Sequence, residues 1–223
     1  MGAWAFERGS LWTIELTERA VVPAWPRVAA SLGEVHRENV GPLTAAMGVS
    51  SSDPILRRFA TGRRCFAARV SDQLAAYGWV SQAAECIGEQ EREIRLQLDE
   101  AYIWDCATLP AYRRQRLYSA LLSYIVAQLR GEGARRIWIG SSLDNRPSLQ
   151  GFANAGFRPV VTLIYMRLFS LRCSWFIGHP TAPAELVGAA RRALVADHER
   201  VIGPALFSLS GPARLASCAQ LEG

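Results

Sequence analysis

The densest chemistry in the chain runs from Glu100 to Ser119, Glu-Ala-Tyr-Ile-Trp-Asp-Cys-Ala-Thr-Leu-Pro-Ala-Tyr-Arg-Arg-Gln-Arg-Leu-Tyr-Ser. Ala101 to Leu109 is apolar enough for a buried strand, Pro110 breaks it, and Arg113, Arg114 and Arg116 crowd the turn before a helix. The first amides of a helix lack internal partners and its dipole is positive there, so this turn suits a phosphate or pyrophosphate. An ordinary strand-to-helix turn with exposed arginines fits the same residues. The strand also carries groups that can hold or move a proton: Glu100 at its start, Asp105 near its end, and Tyr102 between them. Strand alternation puts Ala101, Ile103 and Asp105 on one face and Tyr102, Trp104 and Cys106 on the other, unless a bulge intervenes. Asp105 then serves a different face from Tyr102, as a base or as a satisfied buried carboxylate. No histidine neighbours Cys106 in sequence, so it reads as a core thiol rather than a nucleophile.

The elements that must position these residues follow from periodicity. Leu117, Leu121, Ile125 and Leu129, widened by Leu122 and Val126, make one stripe of a helix within Arg113 to Arg130. Gly131-Glu132-Gly133 ends it. A strand at Arg136 to Gly140, a short helix at Asn145 to Ala155 and a strand at Val160 to Phe169 follow. Strand, helix, strand, helix, strand implies a crossover with locally parallel strands. Upstream, Cys65 to Val70 and Leu74 to Val80 read as strands around Ser71-Asp72-Gln73, and Asp53-Pro54 opens a helix to about Thr61. Val21 to Met47, broken by prolines, reads as one or two helices, and Trp4 to Thr17 as a hairpin around Arg8-Gly9-Ser10. Glu85 to Glu100 is an acidic block, either a solvated face or a surface for a cationic substrate. A last helix is expected at Ala184 to Asp197, before a punctuated tail.

The segment around Pro110 resembles the acyl-CoA-binding core of the GNAT superfamily of N-acyltransferases. Cys106-Ala107-Thr108-Leu109-Pro110 matches the family's strand end, Arg113 opens its Arg/Gln-x-x-Gly-x-Gly/Ala turn, and Ser119-Ala120-Leu121-Leu122 matches the helix that follows. The second signature, Asn-x-x-Ser/Ala-x-x-Phe/Tyr-x-x-x-Gly-Phe, is present as Asn145, Ser148, Phe152 and Gly156-Phe157. The resemblance implies an α/β (α+β) fold: a mixed, mostly antiparallel sheet with a central parallel splayed strand pair and flanking helices. It spans 21–176, between an N-terminal segment (1–20) and a C-terminal helix and tail (177–223). It implies acetyl-CoA or another acyl-CoA as co-substrate, no metal, and direct attack by a small-molecule or peptide amine. Cys106, Ala107 and Thr108 would pair with the pantetheine arm. The amides of Arg114, Gln115, Arg116, Leu117, Tyr118 and Ser119 would cradle the pyrophosphate beside the Arg113, Arg114 and Arg116 guanidinia. Asn145 and Ser148 would bond the arm or the thioester end. Glu100, Asp105 and Tyr102 are the candidate proton-handling residues. The family's two glycines fall at Arg116 and Tyr118, and Phe152 stands where many relatives carry a proton-donating tyrosine, which leaves that role vacant or moves it to Tyr118 or Tyr165. A catalytically degenerate acyl-CoA-binding or interaction module is the alternative.

Composition bounds the rest. The 223 residues carry a formal charge of +5, and all 25 basic residues are arginine, so any anion is held by guanidinia or amides. Half of the residues are hydrophobic, which excludes disorder as the main state. The arginine pairs are dispersed without interleaved aromatics, which argues against nucleic acid. Val160 to Phe176, the most apolar run, is interrupted by Arg167 and Arg172 and too short for a membrane span. Five scattered cysteines give neither a disulfide framework nor a zinc spacing, which points to a cytoplasmic chain with reduced thiols. Oligomeric state is open, with a homodimer allowed.

Overall fold

The computed structural model describes residues 4–16, 23–87, 92–169, 171–194, 200–202 and 205–209. The strands are β1 (Trp4–Glu15), β2 (Ser31–Val35), β3 (Arg64–Val70), β4 (Gln73–Ser81), β5 (Glu85–Ile87), β6 (Arg92–Ile94), β7 (Glu100–Thr108), β8 (Arg136–Ser142), β9 (Arg158–Leu168), β10 (Leu171–Gly178), β11 (Arg200–Ile202) and β12 (Ala205–Leu209). The helices are α1 (Val40–Met47), α2 (Asp53–Ala60), α3 (Leu117–Gly131), α4 (Arg146–Asn154) and α5 (Ala184–Leu194). Among the described residues one sheet runs β11-β12-β10-β9-β1-β8-β7-β4-β3-β2, and β5 pairs with β6 alone. Every pairing is antiparallel except β7 with β8, as the expected mixed sheet requires.

Helices cover both faces of the sheet, which is why β4 is almost continuously apolar and buried from Leu74 to Val80. On one face the stripe of α3 (Leu117, Leu121, Ile125, Leu129) packs with Phe152 and Phe157 against Phe66, Ile103 and Ile137. Each such fully buried side chain contributes about 1.5–3 kcal/mol of transfer free energy. On the other face α1 and α2 place Leu43 and Ile55 against Cys65 and Trp79, and α5 places Ala190 and Leu194 against Val161 and Phe176. Among the described residues no helix is long and apolar enough to cross a membrane.

Four expectations are corrected. Trp4 to Thr17 holds no hairpin: β1 is one twelve-residue strand inserted between β8 and β9. Gly9 and Ser10 are buried inside the sheet there, so their small size serves close packing between two neighbours rather than a turn. Between Val21 and Met47 only α1 is a described α-helix, because Ser31–Val35 pairs with β3 as the sheet's edge strand. Among its described residues the acidic block is not uniformly a solvated face. Glu85 and Glu100 are buried, and Arg63 and Arg136 neutralise them. Cys86, read as reduced, is disulfide-bonded, whereas Cys65, Cys106 and Cys173 are free thiols.

Candidate active site

The parallel strands β7 and β8 pair only where Glu100 to Ile103 meet Arg136 to Ile139. Beyond that they part. Ala107 and Thr108 of β7 pair with Tyr77 and Ala76 of β4 on the far side, and Gly140 to Ser142 pair with β1. The facing edges of both strands are therefore left open in the gap, and a cavity of about 650 Å³ occupies it. Its walls include Tyr102 and Asp105 of β7, Gly140 of β8, Tyr118 of α3, and Ser148 and Phe152 of α4.

A bulge shapes one wall. The β4–β7 register slips between Tyr77 and Trp79, and Asp105 takes a left-handed φ of 41°. The extra residue reverses the alternation beyond it. Cys106 packs on the face of Ile103, and Ala107 on the face of Trp104. Gly78 makes this possible, since a Cβ there would lie 2.8 Å from the Cys106 Sγ. The expected separation of Asp105 from Tyr102 therefore fails, because the bulge turns the carboxylate toward the Trp104 side, where it pairs with Arg58 of α2. The Arg58 guanidinium sits 4.6 Å from the Trp104 ring centroid and 5.0 Å from that of Trp79. The Trp104 Nε1 donates to Ser81 Oγ at 2.9 Å, which fixes the indole plane. Next to it Arg63 holds Glu85 through two bonds, of 2.6 and 2.9 Å.

The turn after β7 is built for an anion. Pro110–Tyr112 makes a 3₁₀ turn, and Arg114 and Arg116 have φ of 65° and 58°. Arg116 is the N-cap of α3 without a side-chain cap, and the first helical bond of that end runs from Ala120 N to Arg116 O. The preceding amides are thus available to a ligand. Arg27 braces the turn from outside, its N donating to Gln115 O at 2.8 Å and its Nη1 to Arg114 O at 3.4 Å. Arg113 Nε donates to Thr108 O at 3.3 Å. Leu117 and Ser119 are buried, so only their backbone can serve a ligand. Thr108 Oγ1 and Gln115 Oε1 are buried without a hydrogen-bond partner, one at each end of the turn. Two orphaned polar atoms beside uncapped amides and three guanidinia fit a phosphorylated ligand with polar groups along its length.

On the cavity wall the Tyr118 hydroxyl lies beside Ser148 and Cys106, which act on its titration. Burial pushes the Tyr118 phenol well above its ordinary range and likewise raises the Cys106 thiol, so both hold their protons. The Tyr118 ring lies 6.2 Å from that of Phe152 and fills the space beside Gly151, where a Cβ would come within 2.4 Å of Cδ1. Asn145 caps α4, its Oδ1 accepting from Ser148 N at 3.3 Å. That capping role is additional to the one expected of it.

The structure thus brings Tyr102, Asp105, Cys106, Tyr118, Asn145 and Ser148 to one cavity, with Ala107, Thr108 and the Arg113–Ser119 turn beyond it on the same β7–α3 connection. Glu100 does not join them. It lies at the other end of β7, buried, accepting from Arg136 Nη1 at 2.8 Å and Trp138 Nε1 at 3.1 Å, which explains a carboxylate there without catalysis. Tyr165 is buried in β9 and does not line the cavity, which leaves Tyr118 as the tyrosine in place. Sequence reasoning missed Arg58, Trp104, Glu7 and Arg8, all at the cavity wall. Only the basic last turn of an amphipathic α2 hinted at Arg58.

Comparison with known proteins agrees with this geometry. The acetyltransferase (GNAT) family model matches residues 36–157. An acetyltransferase of the GNAT family from Colwellia psychrerythraea superposes with a TM-score of 0.53 at 12% identity, over 74% of this chain and 57% of that one. A GCN5-related N-acetyltransferase from Kribbella flavida gives 0.52 at 16% identity, over 74% and 59%. The chain spans less than two thirds of the length of either, and at such identities the likeness is one of fold. No curated protein sequence matches it. With the family match covering more than half of its residues and the splayed strand pair at its centre, the chain belongs to the GNAT family of acetyltransferases.

Proposed function

We propose that the protein moves an acyl group, acetyl in the simplest case, from acyl-CoA to a primary amine by direct attack. The observation that carries this is the continuity of three features. The β7–β8 gap, the open edge of Cys106 to Thr108 and the uncapped, arginine-flanked start of α3 follow one another along a single connection. Acyl-CoA, when bound, supplies a thioester carbonyl open to attack. The α3 amides and Arg113, Arg114 and Arg116 hold the pyrophosphate, and the β7 edge holds the arm as an added strand. The Cys106 amide region polarises the carbonyl as it gains charge. Asp105, presented by the bulge, takes the proton of the attacking amine. Tyr118 gives its proton to the sulfur as the C–S bond breaks and the C–N bond forms. Tyr102 bounds the acceptor side. Among the described residues no three His, Cys, Asp or Glu side chains are grouped to hold a metal, and the scheme calls on none.

Calorimetry with acetyl-CoA is the first test, with binding that weakens at least tenfold when Arg113, Arg114 and Arg116 are all replaced by alanine. No binding at about 1 mM ligand refutes the reading. Thiol release with an amine panel is the second. The protonated Cys106 leads to no acylated protein by intact mass, whereas a covalent adduct on it would overturn direct attack. Phe152 in place of a proton donor supports the degenerate module as a second reading. Binding without turnover on any amine would select it.

A further inference from the structure

The acceptor side of the cavity has a charge pattern of its own. Its ionic wall residues are Glu7, Arg8, Arg58, Arg63, Glu85 and Asp105, an equal number of each sign. Arg63 and Glu85 are spent on each other, both buried. Such a wall offers little to a polycation, and Glu85, the acid of the block that lines it, is neutralised by Arg63. What faces the cavity is the dyad of Arg58 and Asp105, whose side chains remain 20% and 32% exposed. Arg58 uses Nη1 on Asp105, and its other donors have no protein acceptor among the described residues. The two flanking indoles keep it from swinging away. Asp105 is held out of register in a left-handed backbone conformation, of the kind that clusters at ligand clamps.

We infer that the acceptor is an α-amino-acid-type zwitterion, its carboxylate bound by the unused donors of Arg58 and its amine by Asp105. A guanidinium and a carboxylate in contact present donors and acceptors side by side, and an ammonium and a carboxylate one carbon apart are the matching pair. The fixed indole of Trp104 beside the dyad gives an apolar shelf for the side chain, with Ile87 also on the wall, so apolar and aromatic amino acids are favoured over charged ones. Arg58 is then a specificity residue: it grips the part of the substrate that does not react.

The inference rests on the acyl-transfer reading, and the test separates the two. Wild-type protein is assayed for thiol release from acetyl-CoA with L-phenylalanine, its amide and phenethylamine, and with L-leucine and isopentylamine. The free amino acids are expected to exceed their carboxylate-free partners at least about tenfold in kcat/KM. Arg58→Gln lowers kcat/KM for the amino acids, mainly through KM, by at least about tenfold more than it lowers kcat/KM for the carboxylate-free amines, whose loss reports only the altered partner of Asp105. Arg58→Lys restores part of the loss. If either variant fails to fold, the matched pairs on wild type decide alone. Carboxylate-free amines that react as well as the amino acids overturn this inference and leave acyl transfer standing. Loss of acetyl-CoA binding overturns both. Where acetyl-CoA binds without turnover, calorimetry of L-phenylalanine against phenethylamine decides, and equal or absent binding of the amino acid overturns the inference.

Discussion

Gly151 offers a direct test of how the inner end of the cavity is packed. An alanine Cβ there would lie 2.4 Å from Tyr118 Cδ1 and 2.7 Å from Cε1, far inside van der Waals contact. The next nearest atom, at 3.6 Å, is also of Tyr118, so the clash belongs to one ring. That ring cannot yield freely, because it packs beside Phe152 with its hydroxyl against Ser148 and Cys106. Overpacking of this kind costs about 1–3 kcal/mol. Replacing glycine inside α4 returns about 1 kcal/mol of helix propensity. Gly151→Ala is therefore expected to destabilise by about 0–2 kcal/mol net, a fall in Tm of up to about 8 °C for a chain of this size. In a Tyr118→Ala background the clash is gone and the same substitution should stabilise by about 1 kcal/mol. The sign reverses, and urea unfolding of the four proteins reads the coupling directly. Because the displaced hydroxyl is also the proposed proton donor, Gly151→Ala should lower kcat alongside stability. An equal effect in both backgrounds would refute the reasoning.

Tyr118→Phe keeps the ring and removes the proton donor, so kcat should fall about 10²- to 10⁴-fold while the Kd for acetyl-CoA, by calorimetry, stays within about twofold. Arg116→Gly relieves a left-handed non-glycine residue and is expected to raise unfolding free energy by about 1 kcal/mol, while removal of the guanidinium weakens acetyl-CoA binding about 3- to 10-fold. Unchanged or tighter acetyl-CoA binding by this variant would show that Arg116 is not a phosphate contact. Glu100→Gln breaks a buried ion pair with Arg136, which keeps Glu15 as a partner, at a cost of about 1.5–3 kcal/mol, read by chemical denaturation, with kcat unchanged below the transition. A large kcat defect in the folded variant would return Glu100 to the chemistry. The hydrogen bond from Arg64 holds the Glu34 carboxyl below its usual 4.5, so its contribution is present above that value and lost as pH falls through the lower folded value. Glu34→Gln should therefore lower the urea midpoint at pH 7 and have progressively less effect as the pH falls below 4.5.

The sequence by itself determined the secondary elements that frame the cavity. Their signals are local: the 3.6-residue stripe from Leu117 to Leu129, the break at Pro110, and the cap and Pro147 that start α4. The same locality explains why Asp105, Tyr118, Asn145 and Ser148 were legible as candidates, since they lie at the ends of those elements. It did not determine where β1 goes, because Arg8-Gly9-Ser10 satisfies a turn and a crowded strand equally, and only pairing with β8 and β9 selects between them. Nor did it show the bulge at Asp105. Alternation assumes an unbroken ladder, whereas the slip is set across the strand, where Gly78 admits the Cys106 sulfur. Glu100 and Asp105 look alike along the chain. Tertiary structure separates them, burying one against Arg136 and Trp138 and turning the other toward Arg58 in the cavity, because a carboxylate's role is fixed by the charges packed around it, and here those come from residues about 35 to 50 positions away.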